Sequence, residues 1–312
     1  MPLLESCRFR IKPKTINQIV ESIESTGLCV IEKVWDQLFL KELCQHGNSL
    51  FKLKDKAIQK NNLSTTEIPQ YFGAFYSIED HVMDEEFYTC ILQSKFPYLF
   101  KKLFNGDFAL MRNERVLRRV DPIFPLRFSA FHTDGQLKDL ACRGLHSKRE
   151  FTIWTPLVNV VDDKTPRLML IDKKDTENFK DFYMNNAITL PNQVKVRIHV
   201  LSTLNIDLEK KYQPELLIKR KEIYSQITDR FLCYAPKIKL GDCIIFDRDI
   251  WHSSFIPENF SKKRISLDYR IVGDHIPTED MRFDGKFFRS KKHFLFRKDI
   301  FFTENYRVKS HS

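Results

Sequence analysis

The sequence predicts a mainly β protein with helical additions, a sandwich or jelly roll rather than a parallel α/β sheet. Three observations carry this. From Phe108 onward the chain breaks into short β-rich runs separated by turns. Helical periodicity is confined to the first third of the chain and to one later insertion. The final recognisable strand alternates polar and apolar residues with period two.

In chain order, Ile16, Ile19, Val20 and Ile23 fall at helical spacing, and Gly27 ends that helix. A second helix is expected from Asp36 to Gly47, with Leu40, Leu43 and Cys44 apolar and His46 placed to favour its C-terminal dipole. The chain then reads as mostly helical to about residue 105. The β runs follow: Met111 to Val120, Leu126 to His132, Phe151 to Val161, Leu168 to Ile171 and Val194 to Val200. A helical insertion from about Asp207 to Phe231 separates these from the last strands. Cys243-Ile244-Ile245-Phe246 reads as a buried strand opened by the Gly241-Asp242 turn. Residues 1–312 are expected to form one domain, with residues 106–275 as its β core and residues 276–312 as a basic, aromatic tail. No internal repeat stands out.

Composition narrows the setting. With 312 residues and 42% hydrophobic content the chain can bury a sizeable core. Seven cysteines without a CxxC point to reduced thiols and a cytoplasmic location rather than a disulfide framework or zinc ribbon. The start lacks an apolar signal core, and no run approaches the ~20 apolar residues of a membrane helix. A net charge of +10 favours an anionic small-molecule substrate or partner. The densest basic segment, Lys286 to Lys298, interleaves six Lys/Arg with Phe287, Phe288, Phe294 and Phe296. Its plain reading is charged stems covering apolar surface. Nucleic-acid binding is disfavoured, since zinc-finger spacing, an RNP-like motif and a recognition helix are all absent.

The chemistry lies in two distant segments. In Phe131-His132-Thr133-Asp134-Gly135, an extended backbone projects His132 and Asp134 from one face. An imidazole and a carboxylate so placed can hold adjacent corners of one metal, and His252, after the buried 243–246 run, is the third donor. Two histidines and one carboxylate leave metal positions open, the pattern of non-haem iron(II) rather than structural zinc. Beyond His252, Arg264, Ser266, Asp268 and Arg270 alternate with Ile265, Leu267 and Tyr269. A guanidinium on a rigid strand can grip a carboxylate with two parallel hydrogen bonds, and a nearby hydroxyl adds a third. The plain alternative is a half-exposed strand whose charges meet water. Arg264 is favoured over Arg270 by its distance of twelve residues from His252 and by Ser266 on its face. Of the other histidines, His199 reads as a solvent-facing strand residue, and His146 has no carboxylate two residues away.

These residues make the chain resemble the iron(II)/2-oxoglutarate-dependent oxygenases, most closely the phytanoyl-CoA dioxygenase-like branch. His132, Asp134 and His252 match the metal triad, and Arg264 matches the arginine for the far carboxylate of 2-oxoglutarate. Trp154 resembles the tryptophan beside the co-substrate, Ser254 the serine of the family's His-Gly-Ser, and Gly27 to Val34 its opening strand. Two departures stand out. Asp162 to Asp172 replaces the usual Asn-Gly-x-Leu and Pro-Gly-Ser-His, and Ser253 replaces a glycine. A fatty acyl-CoA substrate is therefore not carried over. The resemblance implies a double-stranded β-helix of cupin-like jelly-roll type, with Fe(II), 2-oxoglutarate and O2 as cofactor and co-substrates. It implies a dioxygenase that hydroxylates an unactivated C–H bond of a small molecule, releasing succinate and CO2. The rivals are the same chemistry on a protein or nucleic acid, which steep salt dependence would reveal, and a non-catalytic metal- or ligand-binding jelly roll, which co-substrate turnover would exclude.

Overall fold

A computed structural model describes residues 3–60, 77–79, 90–91, 93–105, 108–111, 116–123, 131–134, 149–189, 195–197, 206–273, 281–283 and 287–290. Helix α1 (Ile16–Thr26) ends where the sequence places its stop. Gly27 takes φ 81° and donates its N–H to the Ile23 carbonyl at 2.8 Å, a left-handed cap that glycine adopts without a Cβ clash. Helix α2 begins after Asp36, whose Oδ1 accepts from the backbone N–H groups of Leu38 and Phe39. It corrects the expectation at its other end, running Gln37–Lys60 straight through Gly47. A Cβ on Gly47 would meet Leu117 Cδ1 at 3.0 Å. The glycine serves a close helix–sheet approach rather than a stop, and His46 lies inside the helix, away from its terminus. Further helices among the described residues are α3 (Phe96–Phe104), α4 (Thr176–Asn185) and α5 (Ile206–Arg230). The expected insertion is α5, which contains Pro214, whereas α4 was not foreseen.

The strands are β1 (Arg8–Phe9), β2 (Leu28–Ile31), β3 (Ser77–Glu79), β4 (Phe108–Met111), β5 (Val116–Val120), β6 (Arg149–Pro156) and β7 (Arg167–Ile171). They continue with β8 (Ala187–Thr189), β9 (Lys195–Arg197), β10 (Cys233–Tyr234), β11 (Cys243–Asp247), β12 (His252–Phe255), β13 (Arg264–Gly273), β14 (Met281–Phe283) and β15 (Phe287–Ser290). The expected Met111–Val120 run is two strands, β4 and β5. The Leu126–His132 run lies outside the described residues up to residue 130, as do His146 and His199. In the tail, β15 pairs with β14 and runs parallel to β4; residues 291–312 lie outside the described residues.

A large sheet follows the order β1-β2-β11-β6-β13-β4-β15-β14, with β5 also on β13, and a smaller sheet has the order β10-β7-β12. The two form a mainly β jelly roll, a double-stranded β-helix with helices on both outer faces. Alternation along each strand assigns its layers. Ile153, Ile245, Ile265 and Leu267 of the large sheet pack outward against Ile19, Leu40, Leu43, Phe96 and Phe100 of α1, α2 and α3. Leu28, Trp154, Leu168, Leu170, Ile244 and Phe246 fill part of the space between the sheets. On the far side, Met169 and Ile171 of β7 meet Phe179 and Tyr183 of α4 and Ile223 and Ile227 of α5. No helix among the described residues is long and apolar enough to cross a membrane.

Candidate metal centre

Backbone pairing brings the two histidines together before any side chain is considered. His132 N–H donates to His252 O at 3.1 Å, and His252 N–H donates to His132 O at 3.0 Å. Residues that exchange both hydrogen bonds across an antiparallel pair point to the same face. Their rings stand with centroids 4.2 Å apart, so the segment around residue 132 acts as a further edge of the small sheet beyond β12.

Asp134 completes the group. Its Oδ1 lies 3.8 Å from His132 Nε2 and 3.8 Å from His252 Nε2. Among the described residues this is the set of three donors that could hold a metal ion, with ligand atoms all within 4.8 Å of one another. Two donors bonded at ~2.1 Å to a shared metal stand at most ~4.2 Å apart, so each 3.8 Å separation accommodates a cation. The tautomer fits as well. His252 Nδ1 lies 3.0 Å from the Ile250 carbonyl, which makes it the donor and leaves Nε2 as the free base facing the carboxylate. Burial pushes His252 down to about 4, so the imidazole is neutral and ready to ligate at neutral pH.

Two contacts fix Asp134 that the sequence did not reveal. The Thr152 hydroxyl donates to Oδ2, and Arg270 Nη2 donates to Oδ1 at 2.6 Å. Thr152 lies two residues before Trp154 on β6 and so shares its face, and that spacing from Trp154 was the available signal. Arg270 was the rival for the co-substrate role; the structure instead holds it against the acid of the triad.

Arg264 occupies the other end of the same strand face, about 20 Å of strand away by the rise of an extended chain. Its Nη2 donates to Ser254 Oγ at 2.9 Å and its Nη1 to the Arg167 carbonyl at 2.9 Å. Its guanidinium carbon sits 5.4 Å from the Trp154 ring centre. Ser254 is two residues beyond His252 on β12, so it shares the inward face and lies about 7 Å along it. The expected constellation of Arg264, Ser254, Ser266 and Trp154 is therefore brought to the inner surface of the jelly roll. The alternative of charges meeting water fails, because Arg264, Ser266, Asp268 and Arg270 are all buried.

Unpartnered atoms define what this end can bind. Arg264 Nε, Ser266 Oγ and Trp154 Nε1 are buried and lack hydrogen-bond partners among the described residues. All three can donate, and buried donors without acceptors are unfavourable. A ligand bringing acceptor oxygens satisfies them, and Arg264 adds a positive charge. Burial lowers Arg264 to about 10, which still leaves it charged at neutral pH. Arg118 Nε donates to Asp268 Oδ2, which keeps a second buried carboxylate paired between the two ends, while burial pushes that carboxyl up.

Fold and donor set thus define a double-stranded β-helix with a two-histidine, one-carboxylate centre. No family model matches the chain, and no curated protein matches it in sequence. Solved structures do. The non-haem α-ketoglutarate-dependent epimerase SnoN from nogalamycin biosynthesis is 12% identical, with a TM-score of 0.50, over 88% of this chain and 91% of that one. It has also been solved with Fe3+, α-ketoglutarate and nogalamycin RO. EctD from S. alaskensis, solved with 2-oxoglutarate and 5-hydroxyectoine, is 16% identical, with a TM-score of 0.51, over 84% of this chain and 76% of that one. At these identities the likeness is one of fold.

Proposed function

We propose that this protein is an iron(II)- and 2-oxoglutarate-dependent dioxygenase that hydroxylates an unactivated C–H bond of a small molecule. The observation that carries this is the pairing of two sites on one inner surface. His132, Asp134 and His252 form a donor set with open positions, and a buried cluster of unsatisfied donors around Arg264 lies two strand residues along from His252. A short dicarboxylate with a 2-oxo acid at one end spans such a pair. The likeness in fold to SnoN, solved with Fe3+ and α-ketoglutarate, and to EctD, solved with 2-oxoglutarate, supports the reading.

In this reading His132, Asp134 and His252 hold the iron by two imidazoles and one carboxylate. When bound, iron with 2-oxoglutarate supplies dioxygen activation, with release of succinate and CO2. Arg264, Ser266 and Ser254 fix the far carboxylate of the co-substrate, and Trp154 lies over that anchor and excludes water. Thr152 and Arg270 hold the plane of Asp134. Because Asp134 remains a carboxylate, no halide position is open in its place, and hydroxylation is favoured over halogenation. Residues 1–312 are taken as one domain, since β1 and β2 of the N-terminal part pair into the large sheet beside β11. The six cysteines among the described residues are free and the net charge is +10, which supports a cytoplasmic enzyme with an anionic substrate.

The test is succinate production from 2-oxoglutarate by anaerobically iron-loaded protein, before and after oxygen is admitted. Wild type should show slow uncoupled turnover that depends on iron and oxygen, and His132→Ala and Asp134→Ala should abolish it. Full turnover in either variant would remove the triad from the mechanism. Absence of both succinate and iron-dependent 2-oxoglutarate binding would reduce the protein to a binding jelly roll.

A further inference from the structure

The oxygen of Asp134 that faces both imidazoles is already bound by a guanidinium. Arg270 Nη2 donates to Oδ1 at 2.6 Å, and Oδ1 is the atom 3.8 Å from His132 Nε2 and from His252 Nε2. The side chains of the pair are 2% and 1% exposed, so little water screens them. An oxygenase centre of the proposed kind needs three ligands and an anchor for its co-substrate; a buried arginine on the ligating oxygen is an addition.

We infer that Arg270 is a positioning residue that sets the metal affinity of this centre by sharing the ligating oxygen of Asp134 with the bound ion. The inference rests on the metal-centre reading above and extends it. An ionised carboxylate offers about four lone-pair sites over its two oxygens, so Oδ1 can accept from Arg270 on one side and bind a cation on the other. Oδ1 is the oxygen that faces both imidazoles and Thr152 holds Oδ2, so the plane of Asp134 is fixed on both sides with Oδ1 turned to the ion. Without metal, the guanidinium compensates a buried charge that would otherwise be unpaired, and the apo centre stays assembled. With metal, a fixed positive charge remains beside the ion and draws on the shared oxygen, so the ion is held more loosely than the three ligands alone would hold it. The strand geometry makes the role specific to residue 270. Arg264, on the same inward face of β13, is committed to Ser254 and Arg167 and lies about 20 Å of strand away.

The test needs no turnover. Mn(II) is titrated into the apo protein by calorimetry, without 2-oxoglutarate, for wild type, Arg270→Gln, Arg270→Lys and Asp134→Asn. Arg270→Gln, which keeps a donor and removes the charge, should bind Mn(II) about tenfold or more tighter, opposite in sign to the 10–100-fold loss usual when a partner of a metal ligand is removed. Arg270→Lys should retain the wild-type affinity. A Gln variant that folds only with Mn(II) present gives the same answer, since the ion then replaces the guanidinium. A folded Gln variant with equal or weaker affinity overturns the inference and leaves the metal centre standing. If the Gln variant does not fold at all, Arg270→Lys decides: wild-type affinity supports the role, and a tenfold change in either direction overturns it. Wild type that binds no Mn(II), or binds it as Asp134→Asn does, overturns the metal-centre reading itself.

Discussion

Strand β13 has two faces that are equally dry and chemically opposite. Outward, Ile265, Leu267, Tyr269 and Ile271 pack under the helical layer; inward, Arg264, Ser266, Asp268 and Arg270 line the interior of the jelly roll, and no residue of either set is more than 5% exposed. Alternation normally separates core from solvent. Here it separates a packed core from a buried polar interior. Burying apolar groups stabilises the fold by roughly 1.5–3 kcal/mol for each large side chain. Burying two arginines and a carboxylate carries a desolvation penalty that pairing offsets only in part. The outward face therefore builds the protein, and in the proposed function the inward face is kept for what it binds. The two should respond to mutation in opposite ways.

The largest effect should come from the inward face and appear in binding. Arg264→Met should weaken 2-oxoglutarate binding by about 100-fold or more, the loss expected when a buried charged anchor is truncated. It should leave thermal stability equal to or above wild type, because a buried guanidinium is removed with it. Titration of 2-oxoglutarate into the Mn(II)-loaded protein, with a melt of the same sample, checks both halves. The mirror experiment is Leu267→Ala, which should lower stability by about 2–5 kcal/mol through the cavity it leaves. Where the variant is folded, its 2-oxoglutarate affinity should match wild type. A loss of affinity comparable to that of Arg264→Met would show that the two faces are not separable.

Acid sharpens the contrast further. His252 is held down at about 4 by burial, against 6.5 when exposed. Above pH 6.5 both folded and unfolded states carry the neutral ring, and its contribution is constant. Between pH 6.5 and 4 the unfolded chain takes up a proton that the folded chain refuses, so stability falls as pH falls through that window. The loss in the metal-free protein should reach about 3 kcal/mol at the low end. Denaturant titrations between pH 4 and 7 measure it, and His252→Gln should flatten that part of the profile. A profile unchanged by the substitution would assign the acid sensitivity to other groups.

The triad and its fold class were legible because both rest on short-range rules. A His-x-Asp on an extended chain shares a face whatever the rest of the molecule does, and short β runs between turns announce a sandwich. The partners of the triad were not legible in the same way. Whether Arg270 serves the co-substrate or Asp134 depends on which strands lie opposite β13, and pairing across more than a hundred residues leaves no trace in local spacing. The polar face of β13 was visible, but its destination was not, since period-two alternation looks the same whether the polar side meets water or a site. Helix α4 escaped because its buried residues, Phe179, Phe182 and Tyr183, face a sheet whose position only the fold defines.

Gly47 gives the smallest and most local test. Read alone, a glycine after an amphipathic stretch stops a helix, yet α2 passes through it to Lys60. Replacing glycine by alanine inside a helix ordinarily gains about 0.5–1 kcal/mol. Here the added Cβ would stand 3.0 Å from Leu117 Cδ1, and Leu117 is fully buried on β5 beneath the helix. A side chain packed on all sides yields only by shifting its neighbours, and such overpacking is unfavourable by about 1–3 kcal/mol. The second effect is the larger, so Gly47→Ala should lower stability by about 1 kcal/mol, measured by chemical denaturation. Pairing it with Leu117→Val opens space at the contact, and the double variant should then recover the helical gain relative to Leu117→Val alone. If Gly47→Ala stabilises the otherwise unchanged protein, the approach of α2 to the outward face is looser than 3.0 Å implies, and the glycine is needed for neither a stop nor a contact.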